Sequence, residues 1–350
     1  LNNEPGRPTR RAVLAGALGL FVPPAGPFAR LVNTLSDPET GPPADNLISN
    51  EDSFPRVASA LARLAPPGSA YLGVGPDQNL TYIAQAHPRL AVILDHRRRN
   101  LLLHLLHKAL MTLAPDRATY LSLITARAPL RPVGPTSTAA EIVAAFATAP
   151  FDRDRLRKAV AAVEASLKPL GVVSDLEWDD LATIQAKLAG PGLDTRFLAL
   201  RMYPNFGHLI QVASRDGSPG HFLADESLYR SVRDAQRNDR VVPIVGDFAS
   251  ATALPRLGDT LRGRNVSIGV VYVSDVEFFL LRAGKFAAYA ANLARLPWAD
   301  GAIIVRTSTR EIESRERVVG DSSTTITRPA SRFLADAIAG RIRTSEDLFR

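Results

Sequence analysis

A strand-like run that ends in a Gly-x-Gly turn constrains this chain more than any other stretch. It reads Ala70-Tyr71-Leu72-Gly73-Val74-Gly75-Pro76-Asp77-Gln78-Asn79, and a second apolar run, residues 89–95, closes on Asp95, 20 positions after Gly75. Strand, glycine turn, helix, strand and acidic residue in that order open a nucleotide-binding βαβ unit. The glycines let the backbone turn tightly and approach a ligand, and the acid accepts hydrogen bonds from ribose hydroxyls. Asp77 or Asn79 is expected to cap the helix that follows, whose N-terminal N–H groups face an anionic group of a ligand. A structural strand-to-helix turn is the competing reading of the same residues.

The later periodicity repeats this plan. Residues 241–245, 266–273 and 302–306 are short apolar runs rich in β-branched residues, separated by helical stretches at 253–261 and from 277 to 296. Such alternation predicts an α/β fold with a mostly parallel sheet covered by helices on both faces. Ligands of these sheets bind beyond the carboxyl ends of the strands. Gly73, Gly75, Asp95, Asp247, Ser274, Asp275 and Glu277 all fall at that edge, which predicts a small-molecule site there. Residues 116–240 read as a mainly helical insertion between the second and third strands, long enough to cap a site. Within it, residues 209–212 read as a short strand.

Three arginines, Arg97 to Arg99, stand at the start of the apolar helix 101–113. Positive charge there opposes the helix dipole, so an acidic partner, Asp95 among the candidates, or a bound anion is expected. The helix is apolar on nearly every side and is expected in the core. His96, His104 and His107 lack a carboxylate at ligand spacing and read as packed or capping histidines; no metal is expected. Ser49, Asn50 and Glu51 are expected either near the entrance to the nucleotide site or as caps of the helix over 54–64.

The chain contains no cysteine, which excludes disulfides, thiolate catalysis and cysteine-ligated zinc. Its net charge of +7 comes from scattered arginines without interleaved aromatic residues, the pattern of a solvated surface rather than a nucleic-acid platform. Near the start, Arg10-Arg11 abut a moderately apolar run that leads to small residues around positions 25–29. This pattern resembles a twin-arginine export signal and predicts a periplasmic destination. The run is too short for a transmembrane span. The expected division is signal 1–29, linker 30–46, first half of the nucleotide-binding domain 47–115, insertion 116–240, second half 241–310 and tail 311–350.

The segments 71–83, 95–105, 245–248 and 272–277 resemble a family of mostly uncharacterised bacterial proteins related to the S-adenosylmethionine-dependent methyltransferase superfamily. The resemblance spans about residues 46 to 308. It implies a Rossmann-like, methyltransferase-like fold with S-adenosylmethionine as cofactor. By position, Gly73 and Gly75 with Asp77 and Asn79 would cradle its methionine portion, Asp95 its ribose, and Asp247 with Phe248 its adenine, with Ser274 at the neighbouring strand end. Glu277 or Asp275 is the expected base, and Tyr82 and His208 the expected acceptor-positioning groups. The sequence departs from the superfamily at Tyr71-Leu72, where an acid usually precedes the first glycine, and at Asp77, where a third glycine usually stands. Gln78 likewise departs from the dinucleotide fingerprint and weakens a nicotinamide oxidoreductase reading. The alternative from another class is an exported binding or interaction protein that keeps the fold without catalysis.

Overall fold

The computed structural model describes residues 26–40, 46–309, 312 and 314–349. Arg10, Arg11 and the rest of the expected export signal up to residue 25 lie outside the described residues.

Six strands form one sheet: β1 (Ala70–Gly73), β2 (Leu90–Asp95), β3 (Val241–Val245), β4 (Ile268–Tyr272), β5 (Trp298–Ser308) and β6 (Thr324–Pro329). Their order is β3-β2-β1-β4-β5-β6; the first five run parallel and β6 runs antiparallel to β5. Every residue of β1 to β4 is buried, as continuous apolar runs covered on both faces require. Pro243 lacks an N–H and is tolerated because β3 is the edge strand.

The helices are α1 (Pro27–Leu35), α2 (Ala58–Leu64), α3 (Gln78–Ala86) and α4 (Arg98–Leu113), followed by α5 (Arg117–Thr125), α6 (Ala139–Phe146), α7 (Arg153–Leu167), α8 (Trp178–Ala189), α9 (Phe206–Gln211) and α10 (Glu226–Arg237) between β2 and β3. After β3 come α11 (Ala253–Gly263), α12 (Val276–Arg282), α13 (Phe286–Ala294) and α14 (Ala330–Ile338). Helices α2, α3, α4 and α10 pack together in one layer against the sheet, and α1, α11, α13 and α14 in another. The helices α5, α7 and α8 pack on α4, which explains why α4 is apolar all round. No described helix is long and apolar enough to cross a membrane.

Four details differ from the sequence expectation. The stretch read as signal end and linker carries α1, whose Phe28, Ala29, Val32 and Leu35 are buried in the core, so the fold begins by Pro27. Beyond α1, Ser36 Oγ accepts from the Val245 N–H and the Asp37 N–H donates to the Val245 carbonyl, so this segment covers the open edge of β3. Residues 209–212 are not a strand: Asn205 Oδ1 accepts from the His208 N–H and starts α9, which buries Phe206, Leu209 and Ile210 at helical spacing. The helix expected from 277 to 296 breaks in two at Gly284, whose φ of 67° ends α12. The stretch read as a tail contains β6 and α14.

Candidate functional site

The turn between β1 and α3 is held from behind by one side chain. Asn79 Nδ2 donates to the carbonyls of Val74, Gly75 and Pro76 at 2.8, 3.0 and 2.9 Å, while its Oδ1 accepts from the Tyr71 hydroxyl at 2.8 Å. A Cβ on residue 73 would stand 2.0 Å from that Oδ1, so Gly73 is required by the packing of Asn79 rather than by a ligand. Gly75 has φ of 80° and supplies the left-handed turn. The imidazole of His104 reaches the same turn, with Nε2 2.9 Å from the Gly75 carbonyl. Burial lowers the His104 pKa, so the ring is neutral and Nε2–H donates. Contrary to the capping expectation, neither Asp77 nor Asn79 caps α3 with its side chain. Asp77 Oδ1 instead accepts from the Ser49 N–H at 2.8 Å, tying the segment before α2 to the turn.

In front of this turn lies a cleft of about 530 Å³, lined by Gly75 and Gln78 from the turn, Asp95 and Arg97 from the end of β2, and Ser274 and Asp275 from the end of β4. The chain turns back here: β2 and β3 lie on one side of β1, β4 and β5 on the other. Open α/β sheets bind ligands at such a point of reversal. The cleft continues into a more apolar pocket of about 360 Å³ that shares Val74, Asp95 and Phe279 with it and adds Leu94, Phe248 and Leu280. On the other side a pocket of about 180 Å³ shares Ser274 and Asp275 and reaches Thr307, Phe278 and Phe349.

Asp95 meets the cleft already paired. Its Oδ1 accepts from the Arg97 N–H at 3.0 Å and from Arg97 Nε at 2.8 Å, and its Oδ2 from Arg97 Nη2 at 2.6 Å. Three of a carboxylate's roughly four acceptor positions are thus occupied, and a ribose would share the acid with Arg97. The other two arginines also find carboxylates, Arg98 on Glu177 and Arg99 on Asp180, so acidic partners offset the misfit at the start of α4. Asp247 lines the apolar pocket, paired with Lys285 at 3.2 Å, and its Oδ1 accepts from the Ala249 N–H. Phe248 stands beside it, its carbonyl accepting from Asn292 Nδ2.

The expected catalytic groups divide. Asp275 lines both the cleft and the small pocket, and burial raises its carboxyl pKa. Glu277, by contrast, is locked: Arg306 donates to both of its oxygens, Nε to Oε2 at 2.8 Å and Nη2 to Oε1 at 3.1 Å, and Tyr289 donates to Oε1 at 2.9 Å. This buried pair ties α12 to β5 and α13. Tyr82 is fully buried, donates to the Phe54 carbonyl at 3.2 Å and packs edge-on against Tyr272. His208 sits exposed on α9, outside the lining of the cleft. Tyr82 and His208 line neither the cleft nor the two pockets beside it, whereas Glu277 lines the small pocket together with Asp275, its carboxylate paired with Arg306.

Glu51, expected near the entrance to the site or as a helix cap, lies directly behind Ser274 and outside the lining of the cleft. It is 1% exposed, and its carboxylate accepts from Tyr272 OH at 2.8 Å, from Thr307 Oγ1 at 2.6 Å and from Ser274 Oγ. Ser274 has a left-handed φ of 52°, unusual for a non-glycine residue, and lines the cleft while its hydroxyl reaches back to Glu51. Burial, with the Asp275 charge adding to it, pushes the Glu51 carboxyl up to about 7 against the three hydroxyl hydrogen bonds. Its partners lie more than 220 positions away in sequence, and the only local signal is an acid in the polar segment before α2.

Residues 47–335 match the family model described as Domain of unknown function (DUF7790). No curated protein matches the chain.

Proposed function

The chain belongs to the DUF7790 family, whose description assigns no activity, and from the site itself we propose that the protein binds S-adenosylmethionine on a Rossmann-like, methyltransferase-like fold. The observation that carries this reading is the continuous cleft across the carboxyl ends of β1, β2 and β4, at the reversal of strand order, with the glycine turn at its floor. Its volume is in the range that encloses a drug-sized ligand. In this reading the methionine portion lies over Gly75 and Gln78, the ribose meets the Asp95–Arg97 pair, and the adenine enters the apolar pocket beside Phe248, Leu94 and Leu280. Asp275 supplies negative charge for the ligand's cationic end.

The reaction in this reading is transfer of the methyl group from the sulfonium to an O, N or C nucleophile. The sulfur leaves as a neutral thioether, and an acceptor that carried a proton must give it up. Calorimetric titration with S-adenosylmethionine and its demethylated product tests the binding. Saturable heat with both is expected, and no binding at millimolar ligand overturns the reading.

A second reading, ligand binding without turnover, draws on the locking of Glu277 and Tyr82 into structural contacts. It predicts the same binding with no demethylated product formed across a panel of O-, N- and C-nucleophiles. Export belongs to either reading. Replacing Arg10 and Arg11 by lysine should retain the precursor inside the cell, and unchanged fractionation would refute the signal.

A further inference from the structure

Glu51 is one end of a continuous line of hydroxyl groups. Thr307 Oγ1 stands 2.6 Å from Glu51 Oε2 and 2.9 Å from Thr325 Oγ1. Thr325 Oγ1 is 2.8 Å from Ser53 Oγ, which is 2.7 Å from Ser323 Oγ. Ser323 Oγ is 2.8 Å from Asp52 Oδ1. All six side chains are buried, and they come from the segment before α2, from β5 and from β6 with the residue preceding it. Between the two carboxyl groups there are five oxygen-to-oxygen gaps, each of hydrogen-bond length.

Each gap needs one hydrogen, and four hydroxyls supply four. With both carboxyls ionised, one gap would set two lone pairs face to face in the dry interior, at a cost comparable to a buried unsatisfied group. One further proton completes the line: Glu51 protonated donates to Thr307, and each hydroxyl then donates onward to Asp52. The same proton on Asp52 reverses every bond and leaves Glu51 ionised. Asp52 also accepts from the N–H groups of Ser322 and Ser323 and from Ser322 Oγ, so the resting proton belongs at the Glu51 end.

We propose that Glu51, Thr307, Thr325, Ser53, Ser323 and Asp52 form a proton relay that opens on the cleft through Ser274 and holds one proton between its two carboxyl groups. A proton leaving a ligand in the cleft passes to Ser274 Oγ as the serine's own proton moves to ionised Glu51. Handing the shared proton along the four hydroxyls to Asp52 restores Glu51 for that step, and Asp52, which is 8% exposed, releases it to solvent. The charged or titratable groups around the line include Asp275, Tyr71, Tyr82 and Tyr272 beside Glu51, Arg215 at the Thr325 carbonyl with Glu316 next to it, and Arg56 with Asp321 beside the Asp52 end. The raised Glu51 pKa agrees with the proton count. Use of the relay in methyl transfer rests on the reading above; the proton count does not.

Infrared pH-difference spectra of the ligand-free protein test the relay apart from any methyl donor. A buried carboxylic acid band that is present at pH 6, half lost near pH 7 and absent in Glu51→Gln is expected. Thr325→Val cuts the line so that the three remaining hydroxyl protons fill the three remaining gaps. The excess proton then has no gap to complete, and the midpoint should fall by about one pH unit or more. Burial alone predicts the opposite, because removing a hydroxyl makes the surroundings less polar. Ser53→Ala cuts the line with the same arithmetic and replaces Thr325→Val if that variant does not fold. Exchange of the Glu51 proton in deuterated buffer, read from the isotopic displacement of the band, should slow at least tenfold when a cut line is combined with Ser274→Ala. No acid band at pH 6, an unchanged or raised midpoint in the cut variant, or equal exchange rates would overturn the relay.

Discussion

Burial lifts the Glu51 carboxyl from 4.5 to about 7, and this links folding to pH. The native state holds the proton more tightly than the unfolded chain, so the associated stability is complete below about pH 4.5. It is lost as pH rises toward 7. The total is on the order of 3 kcal/mol for a fully buried group. Glu51→Gln should remove this slope, so that the variant gains on the wild type between pH 5 and pH 8. Urea unfolding at the two pH values measures it, and parallel losses in both proteins would refute the assignment. Glu277 is bound to a different expectation. Arg306→Met leaves that carboxylate buried without its ion-pair partner and should cost about 3–5 kcal/mol, whereas Glu277→Gln combined with Arg306→Met should recover much of the loss. Recovery in the double variant, read by the same unfolding assay, marks the pair as architecture. Asn79→Ala removes the donor shared by three turn carbonyls and should abolish ligand binding before it unfolds the protein.

At the scale of elements, α1 shows what a linear reading can and cannot reach. Its Phe28 is buried and carries the Lys108 ammonium 4.6 Å from its ring centroid, while Lys108 pairs with Asp239. Phe28→Ala should therefore destabilise by about 3–5 kcal/mol, a loss that calorimetric or urea unfolding would register and a dispensable leader would not show. The sequence places β1 to β5 because runs such as Val241-Val-Pro-Ile-Val are apolar without interruption, a signal carried within each segment. It misses α1 because a Pro- and Ala-rich context resembles a leader, and misses α9 because the Asn205 cap outweighs the β-branched residues after it. The site was legible to the same degree. Gly75, Asp95, Ser274 and Asp275 follow from the rule that loops at strand ends converge, and they do line one cleft. The roles of Glu51 and Glu277 depend on which acid meets Arg306 and which meets Ser274, a choice made by packing between distant segments.

Across the whole molecule the cleft joins parts that are far apart in the chain. Besides the strand ends, Asn46 and Asn50 of the N-terminal segment line it, as do Phe197 and Tyr203 of the helical insertion. Those two rings meet edge to face at 5.0 Å, and a bridge between Arg196 and Asn205 closes the base of their loop. Leu198 and Ala199 at its tip hold left-handed φ values of 48° and 56°, so the loop is held in a costly conformation beside the cleft. A ligand that fills the cleft touches all three parts at once and must slow their local opening together. In the proposed reading, S-adenosylmethionine at 100 times its dissociation constant should add about 2.7 kcal/mol to global stability by mass action. Hydrogen exchange should show protection in segments 46–51, 74–78 and 197–203 at the same ligand concentration. Protection limited to 74–78 would leave the insertion outside the site, because a cap that closes over a ligand cannot exchange as freely as one that does not.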